Sequence, residues 1–378
     1  MAGVFSGKKR IIMARIMGKT VGDHVIELPT VRSIEYEKGL ELFEKNFGKY
    51  GCTAVGKRLD NGDMIVGRSM DLHYSNRPGY IIRSEIPGFY RNIGVVYNSI
   101  SGAFFEDVVK NGLSEEDYLT LYCVTCDVLN EKGLYVEGNM RDYQPRYTGI
   151  RECSGTNPGA KYRISYACLA RFLGDRAASV KEAIALFDEI DVYGMKREGM
   201  NWGGGIFMAD ACGDYGVLEV VDNRVVWNDK QPAQANFYLT PEYRERAVIG
   251  AGMGRYDVVM KGRENIRNEK DMMNLMKKVR YTQFLDPDHS QFDPRGELPC
   301  KMGKVYFTMK DALAEENREA VYGYLRKHGE EERAKPIQQL RDENTTWLST
   351  FQLVANCNKR TIHVTFFEDD SLTYDISL

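Results

Sequence analysis

The sequence predicts an α+β fold in which antiparallel strands and helices occupy different stretches of the chain. Strand patterns follow one another directly after residue 50 and again near the carboxyl terminus, and helical patterns lie between these two regions. Regular βαβ winding would instead alternate strands with helices along the whole chain. A layered arrangement of antiparallel sheets and helices therefore fits the order of the patterns better than a doubly wound parallel sheet.

The strand prediction is strongest at a hairpin near residue 60. Residues 52–59 and 64–70 have strand character, and they flank Asn61-Gly62. Asn and Gly tolerate the positive φ angles that a two-residue hairpin turn requires, so these two strands are expected to pair. The other predicted strands are 132–137, 205–210, 216–221, 224–228, 361–367 and 372–377.

Helices are predicted where apolar residues recur every three or four positions. Such spacing occurs between residues 36 and 47, in a charged segment that precedes the first hairpin. Ser179 and Glu182 form a capping box ahead of a further apolar pattern, which marks the start of a helix. Residues 271–279 and 310–326 also have helical spacing.

Composition and charge narrow the functional class. The 378 residues include 51 Lys and Arg against 54 Asp and Glu, which leaves a formal net charge of -3. A nearly balanced charge offers no positive field for a phosphate backbone or an anionic membrane, so neither nucleic acid nor membrane is an expected partner. The hydrophobic content of 43% is that of a packed globular protein, and no apolar run is long enough to span a membrane.

The amino terminus and the cysteines bear on the cellular compartment. A basic start is followed by the apolar run 11–17, but Arg15 interrupts that run and no small-residue cleavage site follows it. We therefore expect a cytoplasmic protein. Eight cysteines in 378 residues are too sparse for a disulfide scaffold, so mostly free thiols are expected.

Three motifs that could indicate other chemistry have simpler explanations. Cys123 and Cys126 form a CxxC pair inside an apolar stretch, with no second pair at zinc-site spacing, so buried structural thiols are expected. The glycines of 250–254 do not complete a dinucleotide fingerprint, because Arg255 takes the place of its last glycine, and a tight turn that presents Arg255 is expected. The acidic residues and histidine of 286–293 match no calcium loop, and no metal site is predicted.

One group of residues in the first hairpin has chemical potential beyond packing. Cys52 opens the first strand, and Arg68 and Asp71 lie on the second strand, which the turn folds back toward Cys52. A guanidinium near a thiol lowers the thiol pKa from its free value of about 8.5, which makes thiolate available as a nucleophile. From spacing alone, a buried cysteine beside a surface Arg–Asp pair is an equally good explanation.

The same hairpin resembles the start of a known enzyme family. Residues 52–71, CTAVGKRLDNGDMIVGRSMD, resemble the opening of the choloylglycine hydrolases, which include bile salt hydrolases and penicillin V acylases and belong to the N-terminal nucleophile hydrolases. Mature members of that family begin with cysteine and carry a GRxMD segment. Its Arg and Asp follow the cysteine by 16 and 19 positions, and Arg68 and Asp71 stand at those distances from Cys52.

The resemblance extends over about residues 52–378. Residues 130–134 resemble the family's NEKGL segment, and residues 208–219 resemble its DxxG strand pair followed by glutamate. Asn236 stands in the family's TN segment, with alanine in place of threonine, and that segment supplies an active-site asparagine. Arg255 falls in the late segment that supplies an active-site arginine.

The resemblance implies a fold and a maturation step. The fold would be a four-layer αββα sandwich, in which two antiparallel sheets lie face to face between helical layers. Residues 1–51 would form a pro-segment that is removed by self-cleavage between Gly51 and Cys52, leaving 52–378 as one catalytic domain. The thiol of Cys52 would then be the nucleophile, and its freed α-amine the general base.

Five other residues complete the site that the resemblance implies. Arg68 would favour the thiolate, Asp71 would orient the α-ammonium group, and Asn236 with a backbone N–H would hold the oxyanion. Asn139 is a further oxyanion candidate, one position earlier than an ungapped match would place it. Arg255 would support the surroundings of the thiol or bind the polar end of the substrate. This mechanism needs no metal and no organic cofactor.

The expected substrate is a small molecule with a linear amide bond. A bulky apolar acyl group joined to a small polar amine fits best, with conjugated bile salts first, then penicillin V and N-acyl amino acids. Transfer of the acyl group to an amine instead of water is the alternative reaction. A catalytically silent binding protein on the same scaffold is the alternative of a different class. The resemblance also implies a homo-oligomer.

Overall fold

Strands make up most of the described chain. The computed structural model describes residues 11–17, 25–27, 50–73, 79–97, 111, 120–141, 153–197, 200–244, 253–280, 301–302, 305–306, 347–366, 368, 370 and 372–378. The strands are β1 (Ile11–Met17), β2 (Val25–Glu27), β3 (Tyr50–Arg58), β4 (Met64–His73), β5 (Gly79–Glu85), β6 (Asn92–Tyr97), β7 (Asp127–Asn130), β8 (Tyr135–Met140), β9 (Tyr162–Ser165), β10 (Ile190–Tyr193), β11 (Met195–Arg197), β12 (Met200–Trp202), β13 (Gly204–Ala209), β14 (Tyr215–Val221), β15 (Arg224–Asp229), β16 (Ala233–Gln234), β17 (Lys301–Met302), β18 (Val305–Tyr306), β19 (Trp347–Asn356), β20 (Thr361–Phe366) and β21 (Thr373–Ser377).

The described helices begin at side-chain caps where the sequence provides them. They are α1 (Tyr166–Arg176), α2 (Val180–Ala185), α3 (Pro241–Arg244), α4 (Met253–Arg263) and α5 (Glu269–Lys278), with a 3₁₀ turn at Leu186–Asp188. The capping box predicted for α2 is present. Ser179 Oγ accepts a hydrogen bond from the backbone N of Glu182 at 3.2 Å, and the Glu182 carboxylate accepts one from the backbone N of Ala178 at 2.8 Å. The first contact satisfies an N–H group that the first turn of a helix leaves free, and the second holds the residue that precedes the cap.

Two large sheets form the body of the protein. The nine-stranded sheet has the order β15-β14-β13-β8-β7-β6-β5-β1-β2, and the six-stranded sheet has the order β16-β3-β4-β19-β20-β21. Every pairing in the six-stranded sheet is antiparallel. The nine-stranded sheet is antiparallel from β15 to β5, and β1 and β2 of the predicted pro-segment add in parallel at its edge. Separate two-stranded pairs are β9–β10, β11–β12 and β17–β18.

Three buried cores separate four layers. Helices α1 and α2 pack on the outer face of the nine-stranded sheet, where Leu169 and Phe172 contribute to the core. The facing sides of the two sheets enclose a second core that contains Cys52. Helices α4 and α5 cover the outer face of the six-stranded sheet, where Met272 and Met276 are buried. The predicted αββα sandwich is therefore confirmed.

Most predicted strands are confirmed, with one shift and several omissions. The first hairpin forms, but its turn contains three residues, 60–62, and not the expected two, since Arg58 pairs with Met64 and the backbone N of Leu59 donates to the carbonyl oxygen of Asp63 at 2.8 Å. Gly62 occupies the left-handed position of this turn, with a φ of 92°. The strand predicted at 132–137 is misplaced, because residues 131–134 form the turn between β7 and β8. The strand β19 and the helices α1 and α4 have no counterpart among the predictions. The helices predicted at 36–47 and 310–326 and the acidic segment 286–293 lie outside the described residues.

Candidate active site

Cys52 lies in β3 with its side chain directed between the two sheets. It belongs to the core that both sheets enclose, and it is 1% exposed. Its partner across the hairpin is Met70, whose sulfur lies 3.5 Å from Cys52 Sγ. Because successive side chains of a strand point to opposite faces, Ala54 shares this inner face with Cys52 and Val55 packs under the helices. The thiol is thus held inside the sandwich, on one defined face of its strand.

Arg68 of β4 reaches the thiol on the same inner face. Its Nη2 donates to Cys52 Sγ at 3.3 Å and to the carbonyl oxygen of Gly138 at 2.9 Å, and its Nη1 donates to the carbonyl oxygen of Ser69 at 2.9 Å. The structure therefore places Arg68 beside Cys52, as the hairpin predicts. Since Gly138 belongs to β8, the buried guanidinium also joins the two sheets.

Two carboxylates of the nine-stranded sheet surround Arg68. Arg68 Nε lies 3.3 Å from Asp127 Oδ1 and 3.1 Å from Glu137 Oε2, and all three side chains are fully buried. The Tyr135 hydroxyl donates to Asp127 at 2.6 Å, and the Gln234 amide donates to Glu137. Burial raises the pKa of both carboxyls against the opposing effect of Arg68, and the pKa of Glu137 reaches about 7. Glu137 is therefore close to half protonated at neutral pH.

The surroundings of Cys52 act on its thiol in opposite directions. Burial raises the pKa of the Cys52 thiol, and the positive charge and hydrogen bond of Arg68 lower it by a smaller amount. The contribution of Arg68 to the thiol pKa is downward, as expected. The expectation that the pKa as a whole is lowered is wrong, because the net shift is upward. Removal of water from the thiol outweighs one nearby charge. The thiol form of Cys52 is therefore favoured over the thiolate in the intact chain.

Asp71 lies on the other face of the six-stranded sheet. It follows Arg68 by an odd number of residues, so the two side chains point in opposite directions. Its carboxylate accepts hydrogen bonds from Ser69 Oγ at 2.9 Å and from Ser349 Oγ at 2.6 Å, and it forms a buried ion pair with Arg255 of α4. Asp71 thus anchors Arg255 under the helical layer and does not face the thiol.

Arg255 connects this ion pair to the backbone nitrogen of Cys52. Its Nη2 donates to Asn236 Oδ1 at 3.2 Å, and the same oxygen accepts a hydrogen bond from Cys52 N at 2.8 Å. Asn236 comes two residues after β16, which pairs with β3 at the sheet edge, so the chain brings it alongside residue 52. Asp71, Arg255 and Asn236 therefore form a series of contacts that ends on the nitrogen of Cys52.

Asn139 completes the group beside Asn236. It follows Glu137 by two residues in β8, so it points toward the six-stranded sheet. Asn236 Nδ2 donates to Asn139 Oδ1 at 3.1 Å, and the Tyr166 hydroxyl lies 3.0 and 2.8 Å from the backbone N and O of Asn139. Asn139 Nδ2 is buried and has no hydrogen-bond partner among the described residues. This amide is an available donor next to Asn236.

The tight turn expected at Arg255 is wrong. Arg255 lies in the first turn of α4, and its side chain is 1% exposed and paired with Asp71. A helix forms there because residues 253–263 pack on the six-stranded sheet, where Val259 is buried. The preceding residues 245–252 lie outside the described part of the chain. Burial and the contact with Asn236 place Arg255 in the surroundings of Cys52.

The remaining sequence motifs have structural surroundings. Cys123 is buried in the core under α1, and Cys126 is partly buried with its Sγ 3.3 Å from Asp127 Oδ2. The cysteines of the described part of the chain are all free thiols. Asn130 of the NEKGL segment holds its own turn against the end of α1, since its Nδ2 donates to the carbonyl oxygens of Gly174 and Ala177 at 2.9 and 2.7 Å.

Sequence reasoning missed the acidic residues of the opposite sheet. Asp127 and Glu137 stand in β7 and β8 beside Val128, Leu129 and Val136, all of which are buried. A charged side chain inside such a strand requires a buried partner, so the sequence does contain a sign that these two residues have one. The partner, Arg68, could not be read, because it depends on how the two sheets face each other.

Two observations concern other functional classes. Among the described residues, no group of three or more His, Cys, Asp or Glu side chains is placed to hold a metal ion. None of the helices in the described ranges is long and apolar enough to cross a membrane.

Comparisons with known proteins give weak structural similarities. No family model and no curated protein matches the chain. Among solved structures, two variants of the conjugated bile acid hydrolase from Clostridium perfringens are 14% and 13% identical to it, each with a TM-score of 0.44 over 86% of this chain and 92% of the other. A Caenorhabditis elegans ortholog of N-acylethanolamine-hydrolyzing acid amidase is 12% identical, with a TM-score of 0.39 over 81% of this chain and 93% of that one. Since these values are low, the function has to be argued from the site itself.

Proposed function

We propose that the protein is a cysteine hydrolase of linear amides, of the N-terminal nucleophile type, activated by self-cleavage between Gly51 and Cys52. The observation that carries the proposal is that both reactive atoms of Cys52 are held. Arg68 contacts its sulfur at 3.3 Å, and Asn236 contacts its nitrogen at 2.8 Å. A cysteine that only packs needs neither contact. In this class of enzyme the sulfur attacks and the nitrogen takes up the proton, so both atoms must be positioned together.

Self-cleavage uses the same two atoms in the intact chain. The Cys52 sulfur attacks the carbonyl carbon of Gly51, which has no side chain to obstruct it. As the C–S bond forms and the C–N bond breaks, the thiol proton passes to the Cys52 nitrogen, and a thioester results. Water then hydrolyses the thioester and leaves a carboxylate on Gly51 and a free thiol and amine on Cys52. Residues 1–51 are thereby released from the catalytic domain, 52–378.

The freed amine of Cys52 is the general base for turnover. Its reference pKa of about 7.7–8.0 suits proton transfer near neutral pH, and a base is needed because burial raises the pKa of the thiol. The amine takes the thiol proton as sulfur attacks the substrate carbonyl and then gives a proton to the leaving nitrogen. Asn236 Oδ1 holds the amine, and Asp71 supports Asn236 through Arg255.

Asn139 supplies the side-chain donor for the oxyanion. Its buried Nδ2 has no partner among the described residues, and its Oδ1 is held by Asn236 Nδ2, which fixes the direction of the amide group. One of the two N–H donors on the side-chain nitrogen of Asn236 is engaged in that contact, whereas both donors of Asn139 Nδ2 are open among the described residues. The role expected from the sequence for Asn236 is therefore assigned to Asn139, and Asn236 is assigned the nitrogen of Cys52.

The substrate is a bulky apolar acyl group joined to a small polar amine. The support for this shape is the resemblance of the hairpin and the later segments to the choloylglycine hydrolases. Conjugated bile salts are the first choice, and penicillin V and N-acyl amino acids follow. Burial of the acyl group would supply most of the affinity, at about 25 cal/mol per Å².

The test combines protein chemistry with a substrate panel. Purified protein is sequenced from its amino terminus and then incubated with glycocholate, penicillin V and an N-acyl glycine, with products measured by mass spectrometry. We expect a terminus of Cys-Thr-Ala-Val and release of a free acid from at least one amide. Turnover by protein with an intact 51–52 bond would refute the self-cleavage step. Added hydroxylamine separates hydrolysis from acyl transfer, and processed protein that binds an amide without cleaving it would be a binding protein.

A further inference from the structure

A second buried arginine holds the segment that carries Asn236. Arg141, which directly follows β8, donates from Nε and Nη2 to Glu219 Oε1 at 3.1 and 3.0 Å. Its Nη1 donates to the carbonyl oxygen of Ala235 at 2.6 Å, and its Nη2 also donates to Gln234 Oε1 at 2.8 Å. One guanidinium thus contacts a carboxylate of β14 and the two residues that precede Asn236.

Glu219 holds the same segment from its other side. Its Oε1 accepts a hydrogen bond from the backbone N of Leu239 at 2.8 Å. Its Oε2 accepts hydrogen bonds from the backbone N and the hydroxyl of Thr240 at 2.9 and 2.6 Å. The ion pair of Arg141 and Glu219 therefore fixes the chain on both sides of Asn236.

Residues 235–240 have no strand or helix pairing of their own. The pairing of β16 with β3 ends at Gln234, so the sheet brings the chain near Cys52 and side-chain contacts hold the residues that follow. A buried ion pair adds little net stability, because the cost of removing both charges from water offsets their attraction. The pair of Arg141 and Glu219 instead fixes the position of one irregular segment next to Cys52, since the contacts of both residues meet there.

We propose that Arg141 and Glu219 are positioning residues that place the Asn236 side chain against the nitrogen of Cys52. The inference rests on the proposed function, in which that nitrogen is the general base. Neither residue touches the thiol or the substrate carbonyl. Both act through Asn236, so their loss slows the steps in which the Cys52 nitrogen takes up or gives a proton.

A double-mutant cycle tests this inference. Arg141→Lys keeps the positive charge but cannot reach Glu219, Ala235 and Gln234 together. It should lower kcat for the panel amide that the wild type cleaves, and the rate of self-cleavage, by about 10–100-fold, the equivalent of one or two hydrogen bonds to a charged group, with little change in KM. In an Asn236→Ala background the same change should cause little further loss, because the residue it positions is gone.

Two further variants separate positioning from folding. Arg171→Lys is the matched control, since Arg171 is also fully buried and paired with Asp175 but lies between α1 and the outer face of the nine-stranded sheet. It should lower the melting temperature without lowering kcat per folded molecule. If Arg141→Lys does not fold, Thr240→Val takes its place as the test. It removes one hydrogen bond from Glu219 at nearly constant volume and should lower kcat by about 3–10-fold.

The outcomes distinguish this inference from the proposed function. If wild-type protein neither cleaves itself nor turns over an amide of the panel, both are overturned. If the wild type is active but the effects of Arg141→Lys and Asn236→Ala multiply, the positioning role is overturned and the proposed function stands. An unchanged kcat and an unchanged rate of self-cleavage in folded Arg141→Lys would also overturn the positioning role, since the Asn236 side chain would then not depend on Arg141.

Discussion

Arg68 and Arg171 are both fully buried arginines beside carboxylates, yet they serve different surroundings. Arg171 pairs with Asp175 one turn along α1, donates to Asn92, and lies 4.5 Å from the centre of the Tyr122 ring. Asp175 belongs to α1, Asn92 to β6 and Tyr122 to the helical residues before β7, and none of them is a cysteine. Arg68 lies between the two sheets and contacts a thiol.

The comparison shows which feature identifies the candidate site. A buried ion pair does not identify it, since both arginines have one. A buried polar atom without a hydrogen bond does not identify it either, since Arg171 Nη2 also lacks a hydrogen-bond partner among the described residues. The two arginine sites differ in whether contacts from separate elements meet at one reactive residue. Arg68 of β4 and Asn236, in the segment after β16, contact the sulfur and the nitrogen of a single residue, Cys52.

The largest effect is expected when the nucleophile of the Arg68 site is removed. Cys52→Ala should abolish both self-cleavage and turnover, because no other described thiol contacts Arg68 by a hydrogen bond. Cys123→Ala, in the core under α1, is the control and should leave both activities intact. Intact mass and the amide panel measure the two reactions. Turnover that survives in Cys52→Ala, or is lost in folded Cys123→Ala, would show that the site has been misassigned.

The next effect compares two buried asparagines. Asn139→Ala removes the proposed oxyanion donor and should lower kcat by about 10²–10³-fold. Asn92→Ala disturbs the contacts of Arg171 and Asp175, so it should lower stability and leave kcat per folded molecule unchanged. Kinetics below the melting temperature of each variant, with the folded fraction measured by circular dichroism, give the comparison. An unchanged kcat in Asn139→Ala would remove this residue from the mechanism.

Substitution of Arg68 should have a smaller effect on turnover than substitution of Asn139. Arg68→Lys keeps a charge but loses the fork of contacts, so kcat/KM should fall by about 10–100-fold, the value of a charged hydrogen bond. Since Arg68 lowers the pKa of the Cys52 thiol, the pH at which iodoacetamide alkylates Cys52 should move upward. Arg171→Lys should change neither quantity. Equal effects of the two substitutions would mean that the Arg68 network is structural.

The sequence could predict the part of the site that lies within one hairpin. Asn61-Gly62 marks the turn, but the number of residues in the turn decides which residues of β3 and β4 oppose each other. A two-residue turn would pair Cys52 with Asp71, whereas the observed three-residue turn pairs Cys52 with Met70 and so puts Arg68 on the face of Cys52. The same alternation of side chains also separates Arg68 from Asp71 across the sheet. A strand pattern contains that information once its register is known.

The rest of the site depends on packing over long distances along the chain. Asp127 and Glu137 reach Arg68 only because the nine-stranded sheet lies over the six-stranded one. The upward shift of the Cys52 pKa is also a consequence of packing, since burial is its largest cause. Arg141 shows no motif of its own, because its role comes from the irregular segment 235–240 that it holds.

The smallest effect concerns Glu137, whose pKa burial raises to about 7, whereas the unfolded chain has a value near 4.3. Between these pH values the folded state keeps a proton that the unfolded state has lost, so the free energy of unfolding should fall as pH rises through this window and level off above it. Glutamine cannot titrate, so the difference in unfolding free energy between Glu137→Gln and its parent should change by on the order of 3 kcal/mol across the window. Urea unfolding between pH 4.5 and 8, with Cys52→Ala present in both proteins to prevent cleavage, measures it. Glu131→Gln is the control, because burial raises the pKa of Glu131 but the hydrogen bonds and charge of Arg91 together outweigh it and lower that pKa. Its stability contribution is lost only as pH falls below about 4.3, so its difference should stay constant between pH 4.5 and 8. A pH-independent difference for Glu137→Gln would mean that the Glu137 carboxyl is ionised throughout and that Arg68 is balanced by two full negative charges.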